Sequence, residues 1–159
     1  RSGVNQRPPS RADLIASFVV ASLPGNERVA LERVAEAVAA CGLDAPQTGR
    51  LKTAVAEATM NAIEHGNRER ADVSVEVEVF RCGEELVVSI TDQGGGARGV
   101  AEVPEPDLDL KLIGQQTARG WGLFLIRNMV DSLWVTDRGP RHTVWLGMEI
   151  SPAVGGGGS

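Results

Sequence analysis

Apolar and polar residues alternate along one long stretch of the chain, and this pattern predicts the central strands. Residues 73–80 alternate with a period of two, which is typical of a strand with one buried face. Gly83-Glu84 supplies a turn, and residues 85–91 form the returning strand of a hairpin. Shorter runs of β-branched and apolar residues predict three further strands, at residues 16–22, 133–136 and 143–150.

Apolar residues at helical spacing predict three helices between these strands. We expect them at residues 27–40, 46–65 and 120–133. Asn26 suits the N-cap of the first helix, and Gly66 suits the end of the second. Strands and helices together predict an α+β fold, a two-layer sandwich with a mostly antiparallel sheet and the three main helices on one face.

The two ends and one internal stretch lack these patterns. Residues 1–10 begin with a sequence that resembles a cloning scar, and residues 153–159 form a glycine–serine tail. We therefore expect one folded domain at residues 11–152. Inside it, residues 94–119 show no period and contain two prolines, and a loop of this length is usually functional or mobile.

Composition and charge narrow the classes of function. The chain has 159 residues, of which 42% are hydrophobic and 23% charged, as expected of a soluble globular domain. Its net charge of −5 does not favour direct binding to nucleic acid, and no apolar run approaches the length that spans a bilayer. The cysteines, Cys41 and Cys82, are expected as thiols in the reducing cytoplasm, and two histidines exclude a multi-histidine metal site.

One predicted helix carries a pair of side chains suited to nucleotide chemistry. Glu57 and Asn61 are four residues apart, so they share one face of the helix. An uncharged amide oxygen suits Mg²⁺, and a carboxylate one turn away can act as a general base for an attacking hydroxyl or water. By itself this spacing is more often an ordinary solvated helix surface.

Two glycine-rich segments follow the helix that carries Glu57 and Asn61. Asp92 ends a strand and precedes Gly94 and Gly96, so its carboxylate could accept a hydrogen bond from an adenine amino group that lies against bare backbone. Gly120 and Gly122 open an apolar helix, whose free N–H groups favour phosphate. Taken singly, these segments are also typical of a turn and of a helix cap.

The order of these three segments, 57–66, 91–96 and 119–128, resembles the N, G1 and G2 boxes of the GHKL ATPase/kinase superfamily. Within that superfamily, the chain is most similar to the anti-sigma-factor serine/threonine kinases. The resemblance runs from about residue 16 to 150. It has two departures, the bulky Trp121 between the G2 glycines and Arg141-His142 where many relatives place a glycine.

The resemblance implies an ATP-dependent protein serine/threonine kinase with ATP and Mg²⁺ as cofactors. Glu57 would be the general base, Asn61 the Mg²⁺ ligand, and residues 97–119 the lid over ATP. A threonine near the start of the last strand would reach the adenine, often through water, and Thr143 matches by position. The nucleotide contacts implied are Asn61, Asp92, Gly94, Gly96, Arg119, Gly120, Gly122, Leu123 and Thr143.

The resemblance also implies protein partners. Members of the family phosphorylate a small STAS-type anti-anti-sigma protein and hold a sigma factor inactive, commonly as homodimers. We expect these partners here, with no direct contact to nucleic acid or membrane. Two alternatives stay open: a non-catalytic or degenerate nucleotide-binding module of a larger signalling protein, and the catalytic fragment of a histidine kinase.

Overall fold

Five strands form one fully antiparallel sheet in the order β1-β2-β3-β5-β4. The computed structural model describes residues 7–94 and 118–150, with the backbone alone for residues 118–121. The strands are β1 (Leu14–Ala21), β2 (Ser74–Cys82), β3 (Glu85–Asp92), β4 (Ser132–Arg138) and β5 (Arg141–Glu149). The sequence predicted all five strands. Because β5 lies between β3 and β4, the end of β3, the start of β5 and the end of β4 lie next to one another.

In the part of the chain that the structure describes, three α-helices cover one face of this sheet and confirm the predicted sandwich. They are α1 (Asn26–Ala37), α2 (Ala45–Asn61) and α3 (Ala118–Arg127). The main apolar core lies between these helices and the sheet. It is built mostly from aliphatic side chains, among them Val34, Leu51, Ile63, Val88 and Leu146. Within the described residues, no helix combines the length and apolarity that a bilayer crossing requires.

The predicted boundaries of α1 and α3 were wrong. The N-cap of α1 is Gly25, with a left-handed φ of 100°, and not Asn26, whose side-chain amide donates to the carbonyl of Ala21 at 2.8 Å. The third helix begins at Ala118 and ends at Arg127, whereas the apolar pattern predicted residues 120–133. The pattern continued too far because the residues after Arg127 pack apolar side chains from a turn that leads into β4.

The second helix is fastened at its start by a capping box. Asp44 accepts a hydrogen bond from the backbone N–H of Gln47 at 2.8 Å, and the Gln47 side-chain oxygen accepts from the Asp44 N–H at 3.1 Å. The Gln47 amide also donates to the carbonyl of Glu149 at 2.7 Å. These bonds fix α2 against the end of β5, and therefore fix the direction in which its later residues point.

At its other end, α2 widens into one turn of π-helix, Ala62–Gly66. The N–H of Asn67 closes this turn on the carbonyl of Ala62 at 2.8 Å. Gly66 ends the helical path, as predicted. A π turn inserts an extra residue into the helix and is often found at functional sites. Here it carries the chain from the helix surface to the end of β3.

The outer face of the sheet carries a second, smaller apolar cluster. Its buried members are Phe80, Val87, Trp134 and Trp145. The indole rings of Trp134 and Trp145 stack with their centroids 5.8 Å apart and their planes at 5°. Strand alternation thus gives each face of the sheet its own apolar layer.

Candidate functional site

Glu57 and Asn61 converge on a glycine of the neighbouring helix. A Cβ atom on Gly122 would lie 3.0 Å from Asn61 Nδ2 and 3.3 Å from Asn61 Oδ1. It would also lie 3.3 Å from Glu57 Oε2. The helical spacing predicted that Glu57 and Asn61 share a face, and the structure brings both side chains against the bare backbone of α3.

The amide of Asn61 is buried but incompletely bonded. The side chain is 5% exposed, and its Nδ2 has no hydrogen-bond partner within the part of the chain that the structure describes. Leaving a buried donor unpaired costs about 1–3 kcal/mol, so this nitrogen needs a partner, and a bound ligand would supply one. The amide oxygen is the kind of hard donor that Mg²⁺ accepts.

Protein side chains alone do not form a metal site in the described ranges. No group of three His, Cys, Asp or Glu residues there is placed to hold an ion. A single amide oxygen therefore fits an ion that takes most of its ligands from phosphates and water, as Mg²⁺ does in nucleotide sites.

Asp92 lies at the end of β3, in close contact with the π turn. A Cβ atom on Gly66 would overlap the Asp92 carboxylate, so only glycine fits there. The N–H of Gly94 donates to Asp92 Oδ1 at 2.8 Å, and Asp92 is 1% exposed. The structure thus joins the predicted Asp92 and Gly94 to the end of the helix that carries Glu57 and Asn61.

Asn67 organises this region, and sequence reasoning missed it. Its side-chain oxygen accepts from the N–H of Gln93 at 2.8 Å, which holds the turn after Asp92. Its amide nitrogen donates to Ser22 Oγ at 2.9 Å and to the carbonyl of Ser74 at 3.2 Å. The only available signal was a polar residue directly after Gly66, and that is also common at ordinary helix ends.

The position of Thr143 differs from the one that its expected adenine contact requires. It pairs with Thr91 across β3 and β5, and the two hydroxyls lie 2.8 Å apart. Both side chains are on the outer face of the sheet, the face of Trp145, whereas Asp92 is on the helix face. The expected adenine contact by Thr143 does not fit this position, because neighbouring residues on a strand point to opposite faces.

His142 takes the position on the helix face instead. It is the direct partner of Asp92 across β3 and β5, and it is 3% exposed. Its Nδ1 lies 2.8 Å from Oδ1 of Asp137 on β4. The sequence showed only that a histidine departs from the family pattern here, because the strand register that sets its face cannot be read from composition.

The other predicted contacts divide into three cases. Arg119 and Gly120 lie in the first turn of α3, whereas Gly122 lies just beyond it, so its importance is the close approach to Asn61 and not a free N–H. Leu123 is buried in the main core. Gly96 and most of the predicted lid lie outside the described residues.

Comparison with solved structures supports this fold. The RsbU and RsbW domains of a Mycobacterium tuberculosis protein match with a TM-score of 0.61 and 18% identity, over 85% of this chain and 31% of that one. The SiaB–SiaC complex of Pseudomonas aeruginosa matches with a TM-score of 0.54 and 16% identity, over 87% of this chain and 91% of that one. At these identities, the likeness is one of fold alone.

Curated relatives share more of the sequence. An anti-sigma F factor of Clostridium botulinum is 36% identical over 81 residues, which are 51% of this chain and 57% of that protein. One from Oceanobacillus iheyensis is 28% identical over 136 residues, 85% of this chain and 92% of that protein. The match thus spans little more than half the length of the Clostridium relative.

A family model extends over most of the sheet and all three helices. The model of the histidine kinase-like ATPase domain matches residues 20–148, which include Glu57, Asn61, Asp92 and Gly122. The chain therefore belongs to the histidine kinase-like ATPase domain family.

Proposed function

We propose that this chain is an ATP-dependent protein serine/threonine kinase that phosphorylates a STAS-type anti-anti-sigma protein and sequesters a sigma factor. The observation that carries the proposal is the convergence of the Glu57 carboxylate and the Asn61 amide on Gly122. A carboxylate and an oxygen donor for Mg²⁺, one turn apart and beside a bare helix backbone, form an arrangement suited to phosphoryl transfer.

In the proposed reaction, Glu57 accepts the proton of a serine or threonine hydroxyl on the partner. The hydroxyl oxygen then bonds to the γ-phosphorus, the bond from that phosphorus to the bridging oxygen breaks, and ADP leaves. Mg²⁺, held on the protein side by Asn61, would neutralise charge on the phosphates. Gly122 allows the backbone of α3 to approach the reacting groups without a side chain between them.

Base recognition in this proposal rests on Asp92. Its buried carboxylate, held by Gly94 and packed against Gly66, would accept a hydrogen bond from the adenine amino group. Arg119 and Gly120, in the first turn of α3, would contact the phosphates, and Gly96 would lie near the base.

The partners in the proposal come from the relatives. Several are named anti-sigma F factors, and a protein of that name is expected to bind a sigma factor. We extend this role to the present chain, together with a STAS-type substrate and assembly as a homodimer in the cytoplasm.

The first experiment combines calorimetric titration of Mg-ATP with an assay of phosphoryl transfer to a STAS protein. Glu57→Gln should bind Mg-ATP within a few-fold of wild type and lose about 100- to 10,000-fold in transfer, because a general base contributes a factor of that size. Asn61→Ala should lose the Mg²⁺-dependent part of ATP binding. Glu64→Gln, an exposed carboxylate close by on the π turn, is the matched control and should change neither.

Transfer at the wild-type rate by Glu57→Gln would show that the base is assigned wrongly. Tight Mg-ATP binding by the wild type without transfer to any STAS protein would instead favour the non-catalytic regulatory module. Phosphate recovered as acid-labile phosphohistidine would favour the histidine-kinase alternative.

A further inference from the structure

A surface groove between α1 and α2 contains the carboxylate of Glu57. The two helices pack side by side, and the groove between them has a volume of about 440 Å³. One residue of α1 and five of α2 line it: Leu31, Gly49, Lys52, Thr53, Ala56 and Glu57. The α2 residues follow one another at intervals of three or four, so they form one continuous face of that helix.

The middle of the groove offers space and few polar groups. A Cβ atom on Gly49 would meet nothing within 4 Å. The Thr53 hydroxyl already donates to the carbonyl of Gly49 at 3.1 Å, and Ala56 is small. Leu31 adds an apolar side chain from α1. Such a surface fits an extended protein segment whose side chains are small or apolar.

Two charged side chains of opposite sign line the same groove. Lys52 and Glu57 are both half-buried, and within residues 7–94 and 118–150 neither makes a hydrogen bond or an ion pair. A half-buried ammonium without a partner favours an incoming carboxylate. Glu57 also borders the nucleotide side, because its Oε2 would lie 3.3 Å from a Cβ atom on Gly122. The groove therefore leads to the same carboxylate that the proposed reaction uses as its base.

We infer that the α1–α2 groove receives the segment of the protein substrate that carries the acceptor hydroxyl. The inference rests on the proposed kinase function and adds the place where its substrate binds. A serine or threonine in the groove can present its hydroxyl to Glu57, and the bare backbone at Gly122 borders that carboxylate as well. The base thus lies where the substrate groove meets the nucleotide side.

Lys52 gives the substrate segment a sequence preference. Lys52 and Glu57 are five residues apart on α2, which is about 7.5 Å along the helix axis. An extended chain advances about 3.3 Å per residue, so a carboxylate about two or three residues from the acceptor would reach Lys52. The occupant is therefore a protein segment with an acidic side chain at that distance from its serine or threonine.

The first test fills the groove. Thr53→Trp places an indole in it, and Arg50→Trp, on α2 but outside the lining residues, is the matched control. Calorimetry with Mg-ADP present gives the Kd for the STAS protein of the transfer assay, and the assay itself gives the KM. Thr53→Trp should raise both at least about tenfold, because the indole takes the space of the substrate segment. It should leave Mg-ATP affinity unchanged, and Arg50→Trp should change none of the three.

The second test exchanges charges and does not depend on how Thr53→Trp folds. Lys52→Glu should raise the KM for the STAS protein at least about tenfold, because like charges across an interface repel. Arg50→Glu makes the same change in net charge outside the groove and should leave the KM unchanged. In the STAS protein, each Asp or Glu within three residues of the acceptor is then replaced with lysine. At one of these positions, Lys52→Glu should restore transfer.

Equal Kd and KM values for wild type and Thr53→Trp would overturn the inference, and so would the absence of any position at which Lys52→Glu restores transfer. Sedimentation measures the third outcome: if Thr53→Trp separates a dimer into monomers and leaves the KM unchanged, a second copy of the chain covers the groove, and the inference is wrong. A wild type that neither binds nor phosphorylates the STAS protein would instead overturn the proposed function.

Discussion

At the scale of single residues, two glycines let separate segments touch. Gly66 leaves space for the carboxylate of Asp92, and Gly122 leaves space for the side chains of Glu57 and Asn61. In both places the neighbour is a polar group of the site. The absence of a side chain is therefore what allows the helix that carries Glu57 and Asn61 to approach both β3 and α3.

Replacing Gly122 with alanine should weaken nucleotide binding while preserving the fold. The added methyl would lie 3.0 Å from the Asn61 amide and 3.3 Å from the Glu57 carboxylate, so both must shift by a few tenths of an ångström. We expect at least about a tenfold loss in ATP affinity, because a small misplacement of such groups is costly. The measurement is calorimetric titration beside a thermal melt.

Gly49→Ala is the control for that experiment. Gly49 also lies in a helix, α2, but a Cβ atom there would meet nothing within 4 Å. It should stabilise the protein by about 0.5–1 kcal/mol and leave affinity unchanged. Equal losses of affinity in Gly49→Ala and Gly122→Ala would show that the approach to Asn61 is unimportant.

At this scale, helical periodicity was a reliable guide and strand register was not. The shared face of Glu57 and Asn61 follows from a spacing within one helix, and the structure confirms it. The face of Thr143 depends on the register of β5, which the turn at Gly139 sets against β4. A shift of one residue reverses every side chain on a strand, and it exchanges Thr143 for His142.

At the scale of elements, α2 connects the whole site. Its capping box holds one end against β5, and its π turn ends at the hydrogen bonds of Asn67. The sequence predicted the start of this helix from Pro46 and its end from Gly66. It did not predict the change from α to π winding, because the residue that ends the π turn, Asn67, is held by tertiary hydrogen bonds to Ser22 after β1, to β2 and to the turn after β3.

Asn67→Ala tests how much that junction contributes. The substitution removes the acceptor of the Gln93 N–H and the donor to Ser22 and Ser74 in a fully buried place. We expect the free energy of unfolding to fall by about 2–4 kcal/mol, because several buried groups lose their partners. Urea unfolding followed by far-ultraviolet circular dichroism gives this number.

Asn128→Ala is the comparison for Asn67→Ala. Asn128 also donates its amide to a carbonyl, that of Phe124 at 2.9 Å, but in an exposed position. The free energy of unfolding of Asn128→Ala should stay within about 0.5 kcal/mol of the wild-type value, as is usual for surface substitutions. If the two variants lose the same stability, Asn67 is an ordinary capping residue and not a junction.

At the scale of the whole molecule, two arginine–glutamate pairs connect β2 to distant parts of the chain. Arg11 makes two hydrogen bonds to Glu78, at 2.8 and 2.9 Å, and Arg141 makes two to Glu76, at 2.9 and 2.8 Å. The hydrogen bonds from Arg11 lower the pKa of Glu78. Arg11 itself precedes β1, so this pair fastens the start of the fold to β2.

The lowered pKa of Glu78 gives a pH dependence with a definite sign. A carboxyl whose folded pKa is depressed adds stability above its ordinary value of about 4.3, and this contribution is lost as pH falls through the folded pKa. Arg11→Ala should therefore be slightly less stable than wild type at pH 7, with a difference that shrinks from about pH 4.5 downwards. Denaturant midpoints at several pH values provide the measurement.

Arg28→Ala, which removes an exposed arginine from α1, is the control. Its difference from wild type should not vary in the same way between pH 7 and acid. The effect of Arg11→Ala should stay small, because exposed ion pairs contribute little to stability. A difference that grows as the pH falls would mean that the Arg11–Glu78 pair does not stabilise the folded state.

The architecture was the part most completely predicted, because alternation and helical spacing repeat over many residues and tolerate local errors. All five strands and the three helices were placed from those patterns, and the ends of α1 and α3 were not. Helix ends depend on single contacts, such as the one that Asn26 makes with Ala21. The strand order, with β5 between β3 and β4, is likewise a property of the assembled sheet.

The stacked indoles on the outer face also provide a spectroscopic signal of the folded state. The chain has three tryptophans and no tyrosine, so tryptophan dominates its near-ultraviolet absorption. Two of the three, Trp134 and Trp145, face away from the helices, on the opposite side of the sheet from Asp92. Their near-ultraviolet circular dichroism should persist in a variant that has lost only its ligand contacts and vanish in one that has unfolded. Near-ultraviolet circular dichroism can thus distinguish folded from unfolded variants of the site before any nucleotide is added.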